Sequence, residues 1–225
     1  MLGGAFALRL RDRLHLILGF SAGAVVAVAF FDLLPEALDL AGTAHAPAFI
    51  LGFVAFGFLL YLTLDRLLLL GHEHAEEDKT HSKGHVRAGS LSIHSFLDGV
   101  GIGLAFQVSP AVGVVVAVAV LAHDFSDGIN TVSVVSRHGG TYRGALSWLL
   151  ADALAPLLGA VVTLFFSVPE SQLGLLLALF AGFFLYIGAS DLIPESHHAH
   201  PTLWTTVSTL VGAAVLFATI SFANI

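Results

Sequence analysis

The chain contains no cysteine, a single methionine, and only 11% charged residues against 56% hydrophobic ones. Without cysteine there are no disulfides and no thiolate zinc sites, and the redox compartment stays undetermined. The shortage of sulfur ligands also argues against copper(I). So few charges cannot clothe a soluble domain of 225 residues, and a mean hydropathy of +0.89 marks a membrane protein. Basic residues are missing where they would matter most. All nine Lys and Arg fall in loops or at span ends, while Asp98, Asp124, Asp127 and Asp152 sit near the middle of apolar runs. A charge at that depth costs about 2.5–3.5 kcal/mol on insertion scales and implies a partner. As the protein supplies no cation, one must arrive from outside. A secretory leader is not evident, because the short apolar stretch Met1 to Leu8 precedes Arg9, Arg11 and Arg13, the reverse of a signal peptide's order.

Apolar stretches long enough to cross a hydrocarbon core run approximately over 14–39, 46–70, 88–107, 110–136, 141–167, 170–195 and 202–223. The fold class expected is all-α, a polytopic transmembrane bundle of about seven spans forming one domain. Residues 71–86, GHEHAEEDKTHSKGHV, are too hydrophilic to pack and read as a mobile His-rich loop carrying His72, His74, His81 and His85.

Arg9, Arg11, Arg13, Arg66, Lys79, Lys83, Arg87, Arg137 and Arg143 all lie on one side of this arrangement, and the opposite loops hold no Lys or Arg. The positive-inside rule makes that side cytoplasmic, with the N-terminus and the His-rich loop inside and the C-terminus outside. The expected location is a bacterial cytoplasmic membrane, with the chain as an integral protein. Asp32-Leu33-Leu34-Pro35-Glu36 closes the first span and Asp191-Leu192-Ile193-Pro194-Glu195 closes the sixth, which runs the other way. Such a pair points to an inverted repeat of the kind that builds a substrate site between its halves.

The central motif is repeated too: His94-Ser95-Phe96-Leu97-Asp98-Gly99 and His123-Asp124-Phe125-Ser126-Asp127-Gly128. Residues i and i+4 share a helix face, so His94 with Asp98 and His123 with Asp127 each form a two-ligand edge, and two facing edges make a cage. Imidazole with carboxylate suits zinc, and also iron(II), manganese and cobalt. Asp124 could reach a second metal position or accept a proton. Gly99, Gly101, Gly103 and Gly128 let backbones approach closely. Asp152 lies four residues before Pro156, whose ring removes the hydrogen bond to the carbonyl of residue 152. Its carboxylate is expected to line the metal path.

These motifs, with the polar His-rich segment before them and both LPE-type helix ends, resemble the ZIP (Zrt/Irt-like) divalent metal transporters along the whole chain. The resemblance implies a first metal site of His94, Asp98, His123 and Asp127, and a second of Ser95, Asp98, Asp124 and Asp127, bridged by Asp98 and Asp127. Ser95 stands where Asn is common in the family, and Leu97 and Ser126 where Pro often kinks the helix. ZIP proteins usually have eight membrane helices, and Met1 to Leu8 would represent the end of the first, so the first helix reads as truncated.

The expected function is import of divalent transition-metal cations by alternating access, with zinc foremost and iron, manganese or cadmium as further candidates. Asp32, Glu36 and Asp39, with His45 nearby, would draw the ion at the outer mouth. Asp191, Glu195, His197, His198 and His200 would receive it at the inner side, with the loop histidines as weak acceptors. Protons compete for such ligands, so binding should fall with acidity. The expected partners are the lipid bilayer and divalent cations, with a homodimer left open and no nucleic acid. Two other classes would also place His and Asp at this depth, an intramembrane metal-dependent hydrolase and a metal sensor that does not translocate. The first requires an open water position and a general base, and no HExxH occurs. The second would bind tightly without flux.

Overall fold

The computed structural model describes residues 14–73, 80–137, 139–198 and 203–223, and among them every regular element is helical. In a bilayer each backbone amide must find its partner within its own segment, which leaves the helix as the only open-chain solution. Helix α1 runs Leu14–Val28, passes through a π-helical turn Ala29–Leu33 and continues as Leu34–Ala41. Helices α2 (Pro47–Glu73), α3 (Thr80–Val108), α4 (Pro110–Arg137) and α5 (Tyr142–Thr163) follow. Helix α6 runs Glu170–Tyr186, then a π-helical turn Ile187–Leu192, then Ile193–His198, and α7 covers Leu203–Ala223. All seven are long and apolar enough to span a membrane.

The repeated motif has a repeated backbone form. Leu34 N–H donates to Ala29 C=O and Ile193 N–H to Gly188 C=O, both bonds widened to five residues, and each is followed directly by a proline without an N–H. Each proline thus sits where the helix re-tightens, and the widened turn carries Asp32 in α1 and Asp191 in α6.

Packing divides the helices into two groups. Helices α1, α2, α6 and α7 form one, through the pairs α1–α7, α2–α6 and α1–α6; α3, α4 and α5 form the other. Where the closest pairs cross, glycine faces backbone. A Cβ on Gly212 would lie 2.1 Å from Phe20 O, one on Gly182 2.2 Å from Val54 O, and one on Gly159 2.1 Å from Phe96 O. The contacts of α1 with α7 and of α2 with α6 are thus of the same kind, a glycine of one helix against a carbonyl of the other. Side-chain hydrogen bonds also cross between the groups: Ser21 Oγ of α1 donates to Ala122 O of α4 at 2.6 Å, and Tyr61 of α2 bonds His94 of α3.

The polar segment 71–86 differs from its expected form. Helix α2 continues to Glu73 and α3 already begins at Thr80, so the non-helical loop expected over 71–86 is helical at both ends. Hydropathy marks where a helix leaves the lipid, whereas the helix itself continues into water for as long as its backbone bonds are satisfied. Residues 74–79 lie outside the described residues.

At the opposite end, Gln107 ties α3 to the α5–α6 connection. Its Nε2 donates to Thr163 O at 3.0 Å and Phe166 O at 2.9 Å, and its Oε1 accepts from Val168 N at 3.1 Å. At about 0.5–1.5 kcal/mol net per bond, Gln107→Ala is expected to cost about 1–3 kcal/mol. A lowered unfolding temperature in detergent, with zinc binding retained, is the result that checks this.

Candidate metal centre

The central site is built where α3 and α4 cross. Spacing of four residues puts His94 and Asp98 on one face of α3, and His123 and Asp127 on one face of α4, and the helix pairing turns both faces toward each other. Asp98 Oδ2 is 3.2 Å from His94 Nε2 and 3.3 Å from His123 Nε2, and Asp127 Oδ2 is 3.4 Å from His94 Nε2. Metal–ligand bonds of about 2.0–2.1 Å put ligand atoms about 3.3–3.4 Å apart along a tetrahedron's edge. The three measured separations match that edge. His123 is fully buried, and Asp98 and Asp127 are 3% and 8% exposed. No Lys or Arg lies in the central stretches of α3 or α4.

Asp124 stands beside this cage, with Oδ1 3.9 Å from His123 Nε2. The ligand-type atoms of His94, Asp98 and His123, and those of His123, Asp124 and Asp127, lie within 4.8 Å of one another in each set. Two buried carboxylate oxygens, Asp124 Oδ1 and Asp127 Oδ2, make no hydrogen bond to the described residues. A buried anionic oxygen without a donor costs several kcal/mol unless a cation faces it. The arrangement can therefore hold a divalent cation, with Asp124 at hand for a second position.

Asp152 of α5 is buried and sits one layer away. Ser95 Oγ donates to its Oδ1 at 2.9 Å and Thr131 Oγ1 to its Oδ2 at 3.4 Å. The structure thus brings Ser95 to Asp152, while Ser95 Oγ also contacts Leu91 O at 3.1 Å. Thr131 carries no motif of its own in the sequence. Its place four residues after Asp127, on the same face of α4, is the signal that could have found it. Tyr61, which bonds His94 Nδ1, has no such signal, because nothing local on α2 marks it.

The mouth residues are more dispersed. Asp32 is 5% exposed, and its Oδ2 is buried without a hydrogen bond to the described residues. Glu36 is half-buried, Asp39 is exposed, and His45 stacks on Phe49 with ring centroids 5.1 Å apart. At the other end Asp191 is exposed and Glu195 half-buried. His197 is already engaged, through Nδ1 with Ile193 O at 2.9 Å and Ser196 Oγ at 3.0 Å, and through Nε2 with Thr206 Oγ1 at 3.4 Å. His85 is exposed and its Nδ1 accepts from Trp148 Nε1 at 2.7 Å. His74 and His200 lie outside the described residues, as do the side chains of His72, His81 and His198.

A bundle of seven apolar helices that gathers two imidazoles and three carboxylates at the crossing of α3 and α4 is an integral membrane protein of the cation-handling class. The family model described as ZIP zinc transporter matches residues 88–223, the greater part of the chain and both metal motifs. The chain belongs to the ZIP zinc transporter family. Among its relatives, the zinc transporter ZupT of Corynebacterium aurimucosum is 27% identical over 96% of this chain and 89% of its own length. Zinc transporter ZIP4 of Homo sapiens is 32% identical over 46% of this chain, and the match spans only 16% of that longer protein. Zinc transporter ZIP13 of Pongo abelii is 26% identical over 80% of this chain and 57% of its own length.

Proposed function

We propose that the protein imports divalent transition-metal cations, zinc first among them, into the cytoplasm through the cage of His94, Asp98, His123 and Asp127. The observation that carries this reading is three imidazole–carboxylate separations of 3.2–3.4 Å, each the length of one edge of a zinc tetrahedron, beside two buried carboxylate oxygens without a hydrogen bond to the described residues. Family membership and the zinc transporters among its relatives support the cargo. Iron, manganese and cadmium remain within the chemistry of the same ligand set.

In this reading the whole chain is one transporter domain, and the side bearing the nine basic residues, with the His-rich segment, is cytoplasmic. Asp32, Glu36 and Asp39 attract the hydrated cation at the outer mouth, and it exchanges water for the central cage. Ser95, Asp124 and Asp152 serve a neighbouring position on the same path. Asp191, Glu195, His197, His198 and His200 accept the ion on the inner side, before the histidines at 72, 74, 81 and 85. Because the cage belongs to α3 and α4 and the neighbouring Asp152 to α5, alternating access is a displacement of that group against α1, α2, α6 and α7.

The deciding experiment is uptake of radioactive zinc into proteoliposomes by the wild type, His94→Ala and Asp127→Ala. Both variants should fall to the level of protein-free vesicles. Undiminished uptake by both would refute the cage.

A further inference from the structure

The two imidazoles of the cage are oriented by different means. His123 Nδ1 bonds the carbonyl of Ala119, 3.1 Å away on its own helix, so this ring travels with α4. His94 Nδ1 bonds instead the hydroxyl of Tyr61, which belongs to α2 and hence to the other helix group. Without a cation, Nε2–H faces Asp98 and Asp127 at 3.2 and 3.4 Å and Nδ1 accepts from the Tyr61 hydroxyl; with a cation at Nε2, the neutral ring would carry its proton on Nδ1 and donate it to Tyr61 Oη. Such a bond from behind a ligand fixes both its tautomer and its direction.

Tyr61 is itself well held. Its ring meets His94 edge to face, with centroids 5.5 Å apart and an interplanar angle of 79°, and packs on Phe183 and Tyr186 of α6 at 5.3 and 5.2 Å. Tyr186 is pinned in turn, its hydroxyl donating to Asp65 Oδ2 at 2.9 Å, and Asp65 lies one turn beyond Tyr61 on the same face of α2. Contacts from α2 and α6 together therefore hold the hydroxyl that faces His94.

We propose that Tyr61 is a positioning residue for the metal site, holding the His94 ring from across the boundary between the two helix groups so that Nε2 is presented to the cation only while those groups are in register. This inference rests on the reading of His94 as a ligand. It adds that sliding the groups apart loosens one imidazole and leaves the other fixed. The cage then weakens on one side as the transporter changes state, which gives the bound ion a direction of release.

Tyr61→Phe removes one oxygen and keeps every ring contact. In proteoliposomes its KM for Zn2+ should rise about 10-fold with Vmax within about a factor of two of wild type, the range expected for loss of a bond behind a ligand. In detergent, the visible absorption of bound Co2+, which reports ligand geometry, should change, while the unfolding temperature of the metal-free protein should fall no further than the loss of one hydrogen bond accounts for. Asp65→Ala, which frees Tyr186 and leaves Tyr61 in place, should give a smaller rise in KM in the same direction. A wild-type KM and Co2+ spectrum in Tyr61→Phe, or a fall in Vmax at constant KM, would overturn the role of Tyr61. His94→Ala separates the two readings. If it abolishes zinc binding while Tyr61→Phe binds as wild type, only the positioning role is lost; if it binds normally, the cage reading fails.

Discussion

Asp98→Ala is expected to abolish zinc uptake and, with it, the stabilisation that zinc confers. Among the described residues Asp98 Oδ2 is the carboxylate oxygen within 3.3 Å of both imidazoles, so the substitution deletes two of the three measured imidazole–carboxylate separations at once. Breaking a buried, paired charge interaction costs about 3–5 kcal/mol. At about 1.4 kcal/mol per tenfold, affinity should fall by about 100-fold or more. Stability of the metal-free protein should fall as well. There Asp98 Oδ2 pairs with both imidazoles, at 3.2 and 3.3 Å, and removing it breaks a buried interaction even though Asp124 and Asp127 stand nearby. The metal-free variant should therefore unfold below wild type, while zinc at about 100 times the wild-type Kd, which adds about 2.7 kcal/mol to a one-site binder, should add at most about 0.4 kcal/mol to a variant that binds 100-fold more weakly. Thermal unfolding in detergent with and without zinc, beside vesicle uptake, reads both effects. Wild-type uptake by Asp98→Ala would contradict the geometry.

The parts of this protein legible in its sequence are those that depend on one helix at a time. Seven spans follow from hydropathy, and the agreement extends to most ends, as with 110–136 against α4 over Pro110–Arg137. His94 with Asp98 and His123 with Asp127 follow from a spacing of four, which fixes a face whatever that face meets. The repeated Asp-Leu-Leu/Ile-Pro-Glu pattern marks two related helix ends, and the widened turns at Ala29–Leu33 and Ile187–Leu192 give it a backbone form. Relations between helices are not legible in this way. Tyr61 reaches His94 only because α2 packs across α3, and Ser95 reaches Asp152 only because α3 and α5 pack backbone to backbone. The contacts of His197 with Ile193 O and with Thr206 Oγ1 of α7 are likewise not marked by its residue type. Residues 80–86 read as loop because hydropathy senses the lipid boundary, and α3 begins before that boundary.

Gly159→Ala is expected to damage the site without touching any ligand. A Cβ at Gly159 would lie 2.1 Å from Phe96 O, 2.8 Å from Val100 N and 3.0 Å from Gly99 C. All three are backbone atoms of α3, which cannot rotate aside as a side chain would, so α5 must withdraw as a body. The reciprocal contact is as close, since a Cβ on Gly99 would lie 2.0 Å from Pro156 O. Overpacking of this kind costs about 1–3 kcal/mol, occasionally more, and in a membrane close backbone approach is a large part of what joins two helices. Withdrawal of α5 also carries Asp152 away from Ser95 and Thr131, bonds of 2.9 and 3.4 Å that tolerate little lengthening. Uptake should therefore fall further than the loss of stability alone explains. Gly52→Ala on α2 is the control, because no atom lies within 4 Å of the point its added methyl carbon would occupy. There the gain in helix propensity, up to about 1 kcal/mol, should leave the protein as stable as wild type or slightly more so. A pair of variants with equal unfolding temperatures and equal uptake would mean that α3 and α5 do not depend on contact at Gly159, and the link from that glycine to Asp152 would fall with it.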